Sequence, residues 1–233
     1  MSAEIFKLDD IDLHVEPHEW AYARGADDLI RAHWKARLDR TPALFDGRVL
    51  LMHRHGVENG VLRGACFEAA FSHFLAWRDF GFPDPGVHNV FGMAALRGSD
   101  GAYLVGEMGR QTASAGQVYF PAGTPDPGDV SDGRLDLAAS VLRELEEETG
   151  VGFADVDVAP GWTVVQLGAR IACMREISLR HPAVEAARAI EATLASQTEP
   201  ELSAMHVISS LQDARAHDMP DFMQAFFRHA LAD

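Results

Sequence analysis

The chain has 233 residues and a formal net charge of −15, from 35 acidic and 20 basic residues. Apolar residues make up 47% of the chain and charged residues 24%, which is ordinary for a globular protein and does not suggest disorder. The negative charge opposes binding to nucleic acid or to an anionic membrane, so we expect neither as a partner. It also opposes a phosphorylated small molecule, unless local cations or a bound metal compensate.

The cysteines and the N-terminal segment bear on the cellular compartment. Cys66 and Cys173 are far apart and form no CxxC motif, so the sequence predicts neither a disulfide nor a zinc site. Residues 1–20 contain acidic residues and no apolar segment typical of a signal peptide. No apolar run approaches the roughly 18 residues of a membrane helix. We therefore expect a cytoplasmic protein.

Residues 1–88 are predicted to form a small α+β region, because strand and helix patterns alternate there before a Pro- and Gly-rich stretch at 81–88. The predicted elements are a strand or hairpin at 4–15, a helix at 18–39, strands at 43–56 and 60–68, and a helix at 68–80.

Residues 89–233 are predicted to form the main domain. Its predicted elements are a strand–turn–strand unit at 89–108, a short strand at 117–121, a loop at 122–134, a helix at 136–149, two strands within 162–179, a helix at 182–197, a strand at 204–209 and a helix at 220–231. Strands and helices are mixed rather than strictly alternating, which favours an α+β or α/β sandwich.

The helix at 136–149 carries an unusual group of charges. Its apolar stripe contains Leu137, Val141, Leu142 and Leu145, whereas three glutamates lie on an adjacent side, namely Glu144, Glu147 and Glu148. Each like-charge pair at this spacing is unfavourable by about 0.2–0.5 kcal/mol, and the helix dipole disfavours anions in the C-terminal half. A hard divalent cation would reverse these effects. The alternative is that the glutamates form an ordinary solvated face.

The sequence at the C-terminal end of this helix resembles a known family motif. Residues 143–151 read RELEEETGV, which matches the second half of the Nudix box, R-E-U-x-E-E-x-G-U with U aliphatic, at every defined position. Residues 119–123, YFPAG, are similar to the F-P-G-G sequence of that family. The chain therefore resembles Nudix hydrolases. The resemblance implies an α/β fold, an α/β/α sandwich with a mixed sheet over residues 89–233, and a substrate-specifying role for residues 1–88.

The resemblance also implies a set of site residues and a cofactor. Members of this family use Mg²⁺ or Mn²⁺ to hydrolyse a nucleoside diphosphate linked to another moiety. The metal ligands would be Glu144, Glu147 and Glu148, with Glu147 also counted as catalytic. Arg143 matches the catalytic arginine that holds the glutamates, and Gly123 matches the leading glycine of the box, next to the substrate.

Two departures affect the loop before this helix. The segment from Gly123 to Arg143 is six positions longer than in the usual box. Leu135 occupies the position of a glutamate that the family usually has. Asp136 is next to it and is predicted to cap the helix. We also interpret Asp136 as a structural replacement for that glutamate.

The predicted activity is hydrolysis of a phosphate anhydride (pyrophosphate) bond in a small phosphorylated, nucleotide-type substrate. The general base stays open between Glu176, Glu199 and Glu201. Because the chain is acidic, arginines must meet the substrate phosphates together with the metal. The candidates are Arg97 and Arg110 near the strands at 89–108, and Arg170 and Arg175 in the later hairpin, with a surface role as the alternative for each.

Residues 44–48 (LFDGR) and 74–80 (FLAWRDF) are faintly similar to segments of Nudix members that hydrolyse UDP-glucose, so a nucleotide sugar is one candidate substrate. The alternative, which we favour, is that the large apolar residues belong to the core and that Asp79 pairs with Arg78 or another neighbour. These apolar residues are Phe45, Phe74, Leu75, Trp77 and Phe80.

Other functions remain open from sequence. Substrate alternatives are ADP-ribose, a dinucleoside polyphosphate, coenzyme A or an oxidised nucleotide. Alternatives of another class are a non-catalytic nucleotide sensor and a structural interaction domain. Dimers are common in the resembled family, so a homodimer is also an open alternative.

Overall fold

A computed structural model describes residues 2–232, and within them the chain forms thirteen strands and seven α-helices. The strands are β1 (Glu4–Leu8), β2 (Asp10–Val15), β3 (Arg48–Glu58), β4 (Val61–Ala70), β5 (Asn89–Arg97), β6 (Tyr103–Met108), β7 (Val118–Tyr119), β8 (Val130–Ser131), β9 (Arg134–Leu135), β10 (Val156–Val158), β11 (Trp162–Leu167), β12 (Arg170–Leu179) and β13 (Leu202–Ile208).

The helices are α1 (Ala21–Gly25), α2 (Asp27–Arg40), α3 (Phe71–Asp79), α4 (Leu137–Thr149), α5 (Ala183–Leu194), α6 (Leu211–Arg215) and α7 (Asp221–Ala230). Within the described residues 2–232, no helix combines the length and the apolar character needed to cross a membrane.

The larger of two sheets has eight strands and mixed pairing. Its strand order is β1-β11-β12-β5-β6-β13, with β10 paired to β12 and β7 paired to β6. The β12–β5 pair is parallel, and the other pairs are antiparallel. Apolar residues of α4 and α5 pack in the core on one face, and those of α6 and α7 in a second core with alternate residues of β5 and β12. The predicted α/β/α sandwich with a mixed sheet is therefore confirmed.

Residues 1–88 do not form a separate sheet of their own. The second sheet has the order β3-β4-β2-β9-β8, and β8 and β9 belong to the segment after residue 88. Conversely, β1 is an edge strand of the larger sheet, paired with β11. Each sheet therefore contains strands from both predicted regions, and one core contains buried residues from both.

Several element boundaries differ from the sequence prediction. Residues 4–15 contain two strands, but they join different sheets and do not form a hairpin. The helix predicted at 18–39 is divided into α1 and α2 at Ala26. The helix predicted at 68–80 begins only at Phe71, because residues 68–70 complete β4. The loop at 122–134 contains β8, and β9 follows at its end.

Helix α4 is positioned by features that its own sequence supplies. The Asp136 side chain accepts a hydrogen bond from the Ala139 amide at 2.9 Å, so it caps the helix as predicted. Gly150 ends the helix with a φ of 73°, a left-handed conformation that favours glycine. On the sheet, Gly92 of β5 leaves no room for a Cβ against Val141. The helix can therefore lie close to the sheet.

Candidate active site

Five carboxylates converge on a small cleft of about 410 Å³ at the C-terminal half of α4. The acidic residues are Glu144, Glu147, Glu148, Glu199 and Glu201. The other lining residues, 196–198, are uncharged, and no described Lys, Arg or His lines this cleft. Five acidic groups around one cleft repel one another when ionised, which favours binding of a cation there.

Glu148 is the glutamate whose negative charge is hardest to accommodate in a metal-free protein. It is 3% exposed, and neither carboxylate oxygen has a hydrogen-bond partner of normal geometry among the described residues. Burial raises its pKa well above the usual value, and the charges of Glu144 and Glu201 raise it further, whereas the backbone of Ala122 opposes the shift. A buried, unpaired carboxylate is costly unless it binds a cation. This observation shows that the glutamates suit a divalent metal with oxygen ligands.

Arg143 holds two of the glutamates and ties the preceding loop to the helix. Its guanidinium forms ion pairs with Glu144 at 2.9 Å and Glu147 at 3.0 Å. It also contacts Asp129, a buried residue of the loop, at 2.9 Å. The interpretation of Asp136 as the replacement for the missing glutamate is thus incomplete: Asp136 caps α4, but Asp129 forms the ion pair with Arg143. Sequence reasoning missed Asp129 because the loop is long and the contact spans 14 positions.

Among residues 2–232, no three His, Cys, Asp or Glu side chains are arranged to hold a metal ion as they stand. Two of the glutamates are turned toward an arginine instead: Arg143 forms ion pairs with the carboxylates of Glu144 and Glu147. Magnesium takes only one or two protein carboxylates and completes its coordination with water and phosphate oxygens. The set of glutamates therefore fits a cation that binds together with a phosphorylated ligand.

Gly123 packs directly against the carboxylate of Glu144. A Cβ at this position would overlap that carboxylate, so the Glu144 side chain would have to move if residue 123 were larger than glycine. Gly123 was predicted from sequence to bind the substrate, and that role stays a prediction. The same glycine also lines a second, larger cleft.

We expect Gly123→Ala to displace Glu144 and to weaken Mn²⁺ binding by about tenfold, the lower end of the effect of disturbing a ligand's surroundings. Isothermal titration with MnCl₂ measures the affinity. Gly25→Ala is the matched control, because a Cβ at Gly25 meets nothing within 4 Å. Equal affinity in wild type and Gly123→Ala would contradict this account of the loop.

The larger cleft has a volume of about 590 Å³ and shares Glu144, Glu199 and Glu201 with the smaller one. Its wall combines residues 43–49 and α3 of the N-terminal region with β5, β6 and the segment 111–124. The volume is typical of a site for a nucleotide-sized ligand. Both predicted regions of the chain therefore contribute to one site.

Only some of the predicted substrate-binding arginines reach this cleft. Arg97 lies at the opposite end of β5 from the cleft-lining Asn89, about 26 Å away at 3.3 Å per residue. It is paired with Glu176 at 3.6 Å, so neither residue lies at the cleft. Arg110 is exposed and adjoins the lining segment without lining it. Arg175 packs over the Trp162 ring instead.

Arg170 lines the cleft, together with Arg48 and Arg78, which sequence reasoning did not propose as substrate ligands. Arg48 pairs with Glu68 at 3.4 Å, and Arg78 pairs with Asp79 at 3.1 Å, as predicted for Asp79.

Of the three proposed general bases, Glu199 and Glu201 line both clefts.

The large apolar residues singled out in the N-terminal region divide into two groups. Phe74, Leu75 and Trp77 are buried, which confirms the core interpretation for them. Phe45 is 82% exposed and Phe80 is 41% exposed, so the core prediction is wrong for both. Phe45 lies on the loop before β3, outside any strand or helix, and it lines the larger cleft.

Comparison with known proteins gives fold neighbours only. The sequence matches no family model and no curated protein. Among solved structures, it is similar to the MutT protein from Methanosarcina mazei Go1, with 18% identity and a TM-score of 0.40 over 61% of this chain and 92% of that one. It is also similar to DR0079 from Deinococcus radiodurans, with 14% identity and a TM-score of 0.44 over 78% and 98% of the two chains.

A third neighbour is a C. elegans Ap4A hydrolase in a binary complex, with 14% identity and a TM-score of 0.42 over 60% of this chain and 93% of that one. Two further solved structures to which the chain is similar, RenU from M. smegmatis and a protein from Alicyclobacillus acidocaldarius, are described as Nudix hydrolases, with TM-scores of 0.39 and 0.37. All these TM-scores are below 0.5, so the likeness carries no argument about activity.

Proposed function

We propose that this protein is a Nudix-type pyrophosphohydrolase, which uses Mg²⁺ or Mn²⁺ to hydrolyse a phosphate anhydride bond in a nucleoside diphosphate linked to another moiety. The observation that carries the proposal is the buried, unpaired carboxylate of Glu148 in a cleft lined by five glutamates and no described cation. Glu144, Glu147 and Glu148 would hold the metal. When bound, such a cation lowers the pKa of a water and offsets the charge of the phosphates.

The remaining steps belong to the chain's own residues. Arg143 orients Glu144 and Glu147 through its ion pairs, and Asp129 fixes Arg143 from the other side. Arg48 and Arg78 offer positive charge along the larger cleft, where the substrate phosphates need it in a chain of net charge −15. Glu199 or Glu201 accepts the proton of the attacking water, because both line the two clefts.

The other part of the substrate would contact the N-terminal wall of the larger cleft. Leu44, Phe45 and Arg48 line that wall, and they belong to the segment that is faintly similar to UDP-glucose-hydrolysing members. A nucleotide sugar such as UDP-glucose is therefore the first substrate to test, followed by ADP-ribose, a dinucleoside tetraphosphate and coenzyme A.

The test is release of phosphate-containing products from that panel, with Mg²⁺, with Mn²⁺ and with EDTA, for wild type and Glu147→Gln. We expect metal-dependent cleavage of one compound class by wild type and strongly reduced cleavage by the variant. Nucleotide binding without turnover of any compound would contradict the proposal and favour the sensor.

Of the two candidate bases, Glu201 is tested first, because its charge acts on both Glu144 and Glu148. We expect Glu201→Gln to lower kcat by about 100-fold or more and to leave Mn²⁺ affinity within about threefold, since general bases contribute roughly 10²–10⁴-fold. Glu199→Gln is the matched comparison, because Glu199 lines the same two clefts. The measurement is a pH profile of kcat with a Mn²⁺ titration of each variant. If both variants keep wild-type kcat, neither Glu199 nor Glu201 is the general base.

A further inference from the structure

Asn89 is the first residue of β5, whose other members are apolar or glycine up to Arg97 at the opposite end. Asn89 is 8% exposed and lines the larger cleft. Its Oδ1 is buried and has no hydrogen-bond partner among the described residues. A buried amide oxygen without a protein partner is unfavourable, which indicates an acceptor available to a bound molecule.

Arg170 lies beside Asn89, because the two residues are directly opposite each other in the parallel β5–β12 pair. The Arg170 Nε is buried and also lacks a hydrogen-bond partner in the described chain. Asp221 is the carboxylate whose charge acts on Arg170, but the two do not form an ion pair. An amide acceptor and a guanidinium donor therefore stand side by side on the wall of the cleft.

Aromatic rings hold Arg170 in place. Its guanidinium carbon lies 5.5 Å from the centre of the Phe82 ring and 5.7 Å from that of Phe222. Phe82 adopts a φ of 60°, which is strained for a bulky residue, while its amide donates a hydrogen bond to the Trp77 carbonyl at 2.9 Å. The end of α3 thus keeps a strained residue against Arg170, which limits the arginine's freedom.

The two clefts meet at Glu144, Glu199 and Glu201, which line both of them. Asn89 and Arg170 line only the larger cleft, whereas Glu147 and Glu148 line only the smaller one. A diphosphate held at the glutamates would therefore have its nucleoside in the larger cleft, which Arg170 lines.

We propose that Asn89 and Arg170 form a nucleobase subsite that binds the hydrogen-bonding edge of the base, an inference that rests on the proposed function. Every base presents a donor next to an acceptor on such an edge, which matches an amide oxygen beside a guanidinium. A second phosphate matches less well, because the unpaired Asn89 oxygen is itself an acceptor. Phe91 and Phe222, whose ring centres are 5.5 Å apart, supply an apolar wall for a flat ring.

The test measures the binding of UMP, CMP, GMP and AMP, with ribose 5-phosphate and inorganic pyrophosphate as base-free probes, by isothermal titration in MgCl₂. Monophosphates contain no anhydride bond, so the result does not depend on whether the protein hydrolyses anything. We expect Asn89→Ala and Arg170→Lys each to weaken binding of the preferred monophosphate about tenfold. We expect binding of both base-free probes to stay within about twofold.

Arg170→Lys separates base recognition from phosphate recognition, because lysine keeps the charge but loses the planar fork of donors. Arg97→Gln is the control for loss of an arginine outside the cleft, and thermal melting of each variant checks the fold. Three results would overturn the subsite: no binding of any monophosphate by wild type, equal losses for monophosphate and pyrophosphate, or unchanged affinity in both variants. The last result would mean that water satisfies the two buried atoms.

Discussion

Glu148→Gln is expected to lower metal-dependent hydrolysis by at least about 100-fold while leaving the fold intact. Even residues that only orient metal ligands change metal affinity or activity by 10–100-fold, so loss of a buried ligand should exceed that range. The neutral amide also removes an unpaired buried charge, so the metal-free variant should melt at a higher temperature than metal-free wild type at pH 8. The measurements are initial rates in MgCl₂ and melting curves in EDTA.

Glu146→Gln is the matched control for this variant. Glu146 lies on the same helix two positions away, but it is exposed and lines neither cleft. Glu146→Gln removes the same charge from the same turn of α4 as Glu148→Gln does. The effects on the helix dipole and on net charge are therefore equal in the two variants. If both variants lose activity equally, or if neither does, the special role of Glu148 is contradicted.

The second large effect is a fall in the stability of the metal-free protein as the pH rises. Burial, and the charge of Glu147 among others, raise the pKa of Glu144 from 4.5 to about 7 against the opposing effect of Arg143. The folded state therefore keeps a proton that the unfolded state loses, and its stability falls between about pH 4.5 and pH 7. For this side chain, which is 15% exposed, the loss is at most on the order of 3 kcal/mol.

That free energy corresponds to a fall in Tm of at most about 6–12 °C for a chain of this size. Burial lowers the pKa of the partly buried histidines His55 and His88, so they act in the opposite direction and reduce stability as the pH falls below about 6.5. The effect should therefore be read as the difference between wild type and Glu144→Gln, measured in EDTA at both pH values. We expect that difference to favour the variant at pH 8 and to shrink at pH 5.

A divalent cation should reverse the pH effect, because it binds the ionised carboxylates and only the folded state. Addition of MgCl₂ or MnCl₂ should raise the Tm of wild type more at pH 8 than at pH 5. A metal-induced rise that is the same at both pH values would mean that the cation binds away from Glu144 and Glu148.

Local signals made the central helix predictable from sequence. Asp136 and Gly150 mark the two ends of α4, and the apolar stripe fixes the face that packs on the sheet. The convergence of Glu144, Glu147 and Glu148 on one side follows from helical periodicity alone. The paths of β1 and β2 could not be predicted in the same way, because pairing with distant strands decides which sheet each one joins.

The arginines show why the rest of the site was harder to predict. Arg97 and Arg170 lie on neighbouring strands, and the sequence proposed both as substrate ligands. The register pairs Arg170 with Asn89 at the cleft and Arg97 with Ser178 at the far end. Register depends on long-range pairing rather than on local sequence. Asp129 escaped detection for a related reason, since its contact with Arg143 depends on how a long loop folds back.

The most direct test of the central claim is Mn²⁺ binding followed by electron paramagnetic resonance in wild type, Glu148→Gln and Glu146→Gln at pH 8. We expect wild type and Glu146→Gln to bind Mn²⁺ with the same affinity and the same spectrum of the bound ion. We expect Glu148→Gln to lose that signal. Binding by Glu148→Gln with wild-type affinity and an unchanged spectrum would contradict the claim that the glutamate cleft is the metal site.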